Sequence, residues 1–364
     1  MDKKFTRVLM GAALLGACAS ASADCASALT AYASANSPLT GNGSKSYILA
    51  NHPECFGGGS TTSQVQMNST SFQQVAAISG ALSARFMASG DLPQASLQTK
   101  GMAAGGKSAT WSTWGSINSN DTRQNYVATL GSGLNTANTN KILTTVLGAD
   151  YALSPVTAVG VSAAFDSGDG TGSNGNTANS ITSKGYAFAP YVGMQLSPAL
   201  AVDASLGYGK GELNTTGVKS EADRWFAAVN LAYNQWFDKV QLTGKLGYLH
   251  GEEDYGNSTV AGVAQSGTAA RNKLDQLRLG VQAGYWMNDF MPYAGLGYNS
   301  DMSRSTTQAG ATSDPIGKDA WLWTLGVNFF SLKNGVTGGI AYSQEEGRTN
   351  QKNNSLLANI NMRF

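Results

Sequence analysis

Charge, histidine and cysteine are all scarce in this 364-residue chain, and no long hydrophobic run appears after its first two dozen residues. Charged residues make up 13%, with 24 Lys and Arg against 23 Asp and Glu and a net charge of +1. So even a balance leaves no basic stripe for a phosphate backbone, which excludes nucleic acid as a partner. Only two histidines, His52 and His250, are available for metal or acid–base chemistry. No later stretch approaches the roughly 18 to 20 unbroken apolar residues of a membrane helix. A membrane location would therefore require strands closed into a barrel. The chain, with 44 Gly, is too uncharged for a typical soluble domain and too polar for a helical membrane protein. Interleaved lipid-facing and lumen-facing residues average to this middle composition.

The start of the chain indicates export. Lys3, Lys4 and Arg7 precede an apolar run from Val8 to Ala17, and Ala21-Ser22-Ala23 supplies a small-residue cleavage pattern. Residues 1–23 read as a secretory signal, with the mature chain beginning at Asp24. Leu15-Gly16-Ala17-Cys18 also fits a lipidation site and stands as the alternative. After signal removal Cys25 and Cys55 are the remaining cysteines, and in an oxidising compartment such a pair forms a disulfide.

From about residue 108 the pattern is strands of period two. Twelve are expected, near 109–118, 140–153, 156–166, 182–196, 199–212, 222–236, 239–252, 271–287, 290–302, 318–330, 335–345 and 354–364. Tight turns fall at Ser154-Pro155, Ser197-Pro198, Phe237-Asp238, Asn288-Asp289 and Lys333-Asn334. Longer polar loops are expected at 119–139, 167–181, 213–221, 253–270, 303–317 and 346–353, with Tyr126 to Leu134 inside the first. Short turns at one end and long loops at the other mark an outer-membrane barrel. Trp225, Ala227, Val229, Leu231 and Tyr233 fall on one face, as do Leu277, Leu279, Val281, Ala283 and Tyr285. Aromatics including Tyr151, Tyr208, Trp236, Tyr248, Trp286 and Trp321 lie toward strand ends, where interface girdles form. The last strand alternates Leu356, Ala358, Ile360, Met362 and Phe364 against Asn359, Asn361 and Arg363.

Between Thr61 and Phe86 the period changes to about 3.6. Val65, Phe72, Val75, Ile78, Leu82 and Phe86 form an apolar stripe, with Gln64, Gln66, Asn68, Gln73 and Gln74 elsewhere. This predicts a linker or plug helix over residues 61–90, lying in a polar lumen, with a periplasmic helix or interface linker as the alternative. Inward positions Gly148, Gly207, Gly284, Gly326 and Asn328 would leave it room. Residues 91–107 read as a flexible linker and 24–60 as a short amino-terminal segment.

Residues 61–364 together resemble the translocator of the type V autotransporters. The resemblance rests on a pore helix before the barrel, Trp111 to Gly115 opening the first strand, Gly148-Ala149-Asp150-Tyr151 in the second and Asn359 to Phe364 at the close. It implies an all-β membrane protein, a 12-stranded antiparallel outer-membrane β-barrel with an amino-terminal helix in its lumen. It also implies that Ile360, Met362 and Phe364 form the signal read by the barrel-assembly machinery. Periplasmic chaperones, outer-membrane lipid and lipopolysaccharide would be the other partners, and the barrel would be a monomer. In this family the barrel anchors the protein and carries an amino-terminal passenger to the cell surface. Residues 24–60 are far shorter than a usual passenger and cannot hold an enzyme. Where such proteins release their passengers, an Asn in the helix is cut with help from lumen acids; here Asn68, Asp150 and Asp203 would fill those roles.

Other chemistry is thin. Gly101 to Ser108 fits the phosphate-loop pattern, but a strand rather than a helix follows it, so it reads as a linker. Glu252 rather than Ser stands two residues after His250, and no hydrolase triad is visible. His250 with Glu252, Glu253 and Asp254 reads as a solvated rim. No metal, cofactor or catalytic residue is expected. Asp150, Asp203, Arg224, Lys245, Arg278 and Arg363 are expected to face the lumen. Two further functions fit the residues: a small porin with those cations along its lumen, or an adhesin acting through its surface loops.

Overall fold

The computed structural model describes residues 61–87, 110–127, 135–174, 177–215, 217–260, 262–265, 268–308, 311–313, 316–331 and 334–364. The expected signal at 1–23, the Cys25 and Cys55 pair, and the linker at 91–107 with its phosphate-loop pattern lie outside them.

Among the described residues one helix, α1 (Thr61–Met87), precedes twelve barrel strands. These are β1 (Trp111–Val127), β2 (Asn135–Ser154), β3 (Thr157–Asn174), β4 (Thr177–Ser197), β5 (Leu200–Thr215) and β6 (Val218–Phe237). They continue as β7 (Val240–Tyr255), β8 (Ala270–Tyr285), β9 (Phe290–Gln308), β10 (Asp319–Ser331), β11 (Val336–Glu346) and β12 (Gln351–Arg363). Each strand pairs antiparallel with the next, and β1 closes on β12 from Ser112↔Arg363 to Gln124↔Gln351. Trp111 and Phe364 exchange backbone hydrogen bonds of 3.2 and 3.1 Å at the seam. Closure leaves no barrel strand with an unpaired edge, the condition for strands to cross a bilayer. None of the described helices is long and apolar enough to do so.

The short turns lie at the end where the barrel begins and ends. Two are tightened by Asp238 and Asn288 in the left-handed region, at φ 53° and 61°, a conformation that Asp and Asn tolerate better than bulky residues. At the opposite end the strands run further than their sequence pattern indicates. β1 reaches Val127, so Tyr126 is in a strand, and β3 and β4 continue to Asn174 and from Thr177. The expected loops at 119–139, 167–181 and 213–221 are largely strand; those at 253–270, 303–317 and 346–353 are shortened. β4 has 21 residues, about twice the roughly 9 to 11 that span a bilayer.

The reason is an inversion of polarity along each strand. In the middle, Leu147, Leu206, Val229, Val281, Leu325 and Ile340 point outward, each at least half exposed. A soluble protein does not carry so wide an apolar belt. Tyr186, Tyr208, Tyr248 and Trp321 border this belt on one side, and Trp111, Tyr151, Tyr233, Tyr285 and Phe290 on the other. Beyond the first border the outward positions become Lys184, Lys210, Asp223, Asp254 and Arg271, while the inward ones become Ile181, Leu213, Ala222, Tyr255 and Ala270, all buried. Side-chain parity is unbroken. Only the solvent on each face has changed.

Two expected girdle residues are instead interior. Trp286 is buried, and with Trp236, Met291 and Phe330 it forms an apolar cluster inside the short-turn end of the barrel.

Candidate functional site

Helix α1 runs inside the barrel, packed against β1 to β7 and touching β8 and β12 only lightly. Its stripe residues Val75, Ile78, Leu82 and Phe86 are buried against Trp114, Val146, Tyr191, Phe226 and Leu249 of the wall. Phe72 is half-buried at the edge of this contact. The polar face is held as well. Gln74, which the stripe leaves out, is fully buried and donates to Ser162 Oγ at 3.0 Å and the Ala187 carbonyl at 3.3 Å. A buried amide needs such partners.

The expected glycine sockets serve a different purpose. A Cβ on Gly148 would meet Trp114 at 2.2 Å, one on Gly207 would meet Phe226 at 2.1 Å, and one on Gly326 would meet Tyr293 at 2.5 Å. The missing side chains at Gly148, Gly207 and Gly326 are filled by aromatic rings of adjacent strands, and that at Gly284 by Met291. The helix instead uses Gly193, where a Cβ would lie 2.7 Å from Leu82 Cδ1.

The carboxy-terminal end of α1 is fastened at the short-turn end of the barrel. Arg85 pairs with Asp150 of β2, whose side chain is fully buried, and also donates to the Thr110 carbonyl at 3.2 Å. Tyr191 donates to Asp150 Oδ2 at 3.2 Å and receives the indole N–H of Trp114 at 2.8 Å. On the far side Asn361 Nδ2 donates to the Ala81 carbonyl and Arg363 Nη1 to the Arg85 carbonyl, each at 3.4 Å. Neither Gln74 nor the Trp114–Tyr191 pair stands out in the sequence, because their partners are 77 or more residues away.

The remaining inward groups have separate places. Asp203 accepts from Asn230 Nδ2 at 2.7 Å and bonds Ser79 of the helix. Arg224 is fully buried between Asp166 at 2.8 Å and Glu253 at 3.0 Å. Lys245 and Arg278 face the lumen on β7 and β8. Both acids meet the helix beyond Asn68. Their helix partners, Ser79 and Arg85, lie about 16 and 25 Å further along the axis at 1.5 Å per residue.

The acidic run around His250 is divided by parity. Glu253 points inward to Arg224, whereas His250 points outward, hydrogen-bonded to Asp275 at 2.7 Å and tilted against Trp225 with ring centroids 4.8 Å apart. Among the described residues no group of three His, Cys, Asp or Glu side chains could hold a metal ion.

The described residues thus form a closed barrel of twelve strands with one helix fastened in its lumen. A family model described as the autotransporter beta-domain matches residues 113–343. The chain belongs to the autotransporter β-domain family. Among solved structures it is similar to the translocator domain of the autotransporter NalP from Neisseria meningitidis, at 15% identity and a TM-score of 0.54, covering 74% of this chain and 96% of that one. It is also similar to the transport unit of the autotransporter AIDA-I from Escherichia coli, at 13% identity and a TM-score of 0.53, covering 75% and 96%. The β domain of the Bordetella autotransporter BrkA matches at 12% identity and a TM-score of 0.50, covering 70% and 100%. No curated protein matches the chain by sequence. As an autotransporter β-domain the protein resides in the outer membrane, its short turns at the periplasmic end and its strand extensions outside.

Proposed function

We propose that this barrel anchors its own short amino-terminal segment in the outer membrane and carries it to the cell surface. The observation that carries the reading is the direction of α1. Its carboxy-terminal end is fixed at the periplasmic mouth through Arg85 and Asp150, and 27 residues at 1.5 Å each extend about 40 Å, enough to bring Thr61 toward the opposite mouth. On this reading residues 24–60 continue from the outer end. A disulfide between Cys25 and Cys55 would make this segment a compact surface loop.

The test is an epitope tag inserted after Gly41, probed with antibody on intact and on permeabilised cells. Staining of intact cells is expected. Staining only after permeabilisation would place residues 24–60 in the periplasm and reject translocation.

A further inference from the structure

We infer that Lys245 and Arg278 form an anion-binding site in the lumen beside the helix, suited to a small oxyanion such as inorganic phosphate. Lys245 on β7 stands opposite Gly280 on β8, and Arg278 stands opposite Gly247. The two cations are therefore diagonal neighbours on one face of adjacent strands, within reach of a single ligand. The next strand adds Asn299 opposite Arg278 and Gly297 opposite Gly280.

Like charges so placed repel unless something negative lies between them. The protein supplies it only at a distance: Asp301 and Glu345 act on Arg278 without forming an ion pair with it. Among the described residues no carboxylate is within ion-pairing distance of either cation. The nearby inward acids are already engaged: Asp301 by Arg304 and Arg348 at 2.6 and 2.7 Å, Glu345 by Arg348 at 2.7 Å, and Asp203 by Asn230. Helix α1 brings no acid, since Arg85 is its sole charged residue.

The site also has room and a shaped donor. Lys245 is exposed to water although walled in by the barrel, and a Cβ added at Gly280 would find nothing nearer than 3.8 Å. The Arg278 guanidinium lies 4.3 Å from the centroid of the Phe72 ring of the helix and its Nε donates to Asn299 Oδ1 at 3.4 Å. Stacking and this hydrogen bond hold the planar fork in place, leaving its terminal N–H groups for an oxyanion, which Arg recognises bidentately. The ammonium of Lys245 supplies the second charge.

The experiment is a calorimetric titration of inorganic phosphate into the full-length barrel in neutral detergent at low chloride. The comparison is among wild type, Lys245→Gln, Lys245→Gln with Arg278→Gln, and an outer-face control, Lys184→Gln with Lys210→Gln. Heat-dependent gel mobility reports folding of each. One saturable site per chain is expected, weakened roughly tenfold or more by the lumen variants, the loss when a charged hydrogen-bonding partner is removed. The outer-face control should bind as wild type does. Absence of saturable binding to the folded wild type would overturn the assignment. So would retention of binding by the folded lumen variants, or equal loss in the control. None of these outcomes depends on whether the amino-terminal segment is translocated.

Discussion

Replacing Asp150 by Asn should loosen the helix in its lumen. The wild-type carboxylate is fully buried and pairs with Arg85, itself only 7% exposed, while accepting from Tyr191. The Asn variant keeps a similar shape and can still accept from Tyr191, but leaves the guanidinium with neutral partners such as the Thr110 carbonyl. Removing one member of a buried ion pair costs about 3–5 kcal/mol. At about 1.4 kcal/mol per factor of ten, the population with its helix undocked rises by roughly two to three and a half orders of magnitude. Leu82→Cys, in a background with the native cysteines changed to Ser, gives the readout: Leu82 is 1% exposed against Gly193. Labelling by a membrane-impermeant maleimide then proceeds through undocking. The labelling rate should rise by about the same factor in Asp150→Asn and fall back when Arg85→Met is added, because the stranded charge is gone. A rise under about threefold would refute the view that this pair holds the helix, since it corresponds to less than ~0.7 kcal/mol.

Three further outcomes follow from the same structure. Gly148→Ala and Gly207→Ala drive a methyl group into Trp114 and Phe226, and should each lower stability to urea by about 1–3 kcal/mol; Gly244→Ala, with nothing within 4 Å, should not. Arg224→Met removes the cation between Asp166 and Glu253 and should cost about 3–5 kcal/mol in the same assay. Phe364→Ala keeps the backbone hydrogen bonds to Trp111 and loses a side chain that is 65% exposed. Its folded barrel should match wild type within about 0.5 kcal/mol, while the fraction assembled in cells, read by heat-dependent gel mobility, should fall; full assembly would dismiss the carboxy-terminal signal.

The strand order, the barrel and the helix were legible because each rests on local repetition: period two against lipid, period 3.6 against the lumen wall. What escaped is what depends on residues far apart in the chain. Gly148 and Gly207 look like vacancies until Trp114 and Phe226 are seen to lean over them from the neighbouring strands. Asp150 and Asp203 read as a pair of acids for one task, yet Arg85 takes one and Asn230 and Ser79 the other. Trp286 sits at a strand end like its girdle counterparts, but its even position turns it inward onto Met291 and Phe330. The outer half of β3 has the composition of a loop, with Gly168, Gly170 and Gly172 alternating with Asp169 and Thr171, but that composition also suits a strand wetted on its outer face.

The polarity inversion along the strands also sets how substitutions will be tolerated. On β3, Val161 and Phe165 take their side chains into lipid, whereas Asp169 and Thr171 on the same face stand in water. A lysine at Val161 meets hydrocarbon, where charge costs about 2–4 kcal/mol at the midplane; a lysine at Thr171, ten residues on, joins a wet and already charged collar. Two positions of identical geometry thus obey opposite rules. The row at which the rule changes, near Tyr186, Tyr208 and Tyr248, traces the height of the outer leaflet on the protein itself.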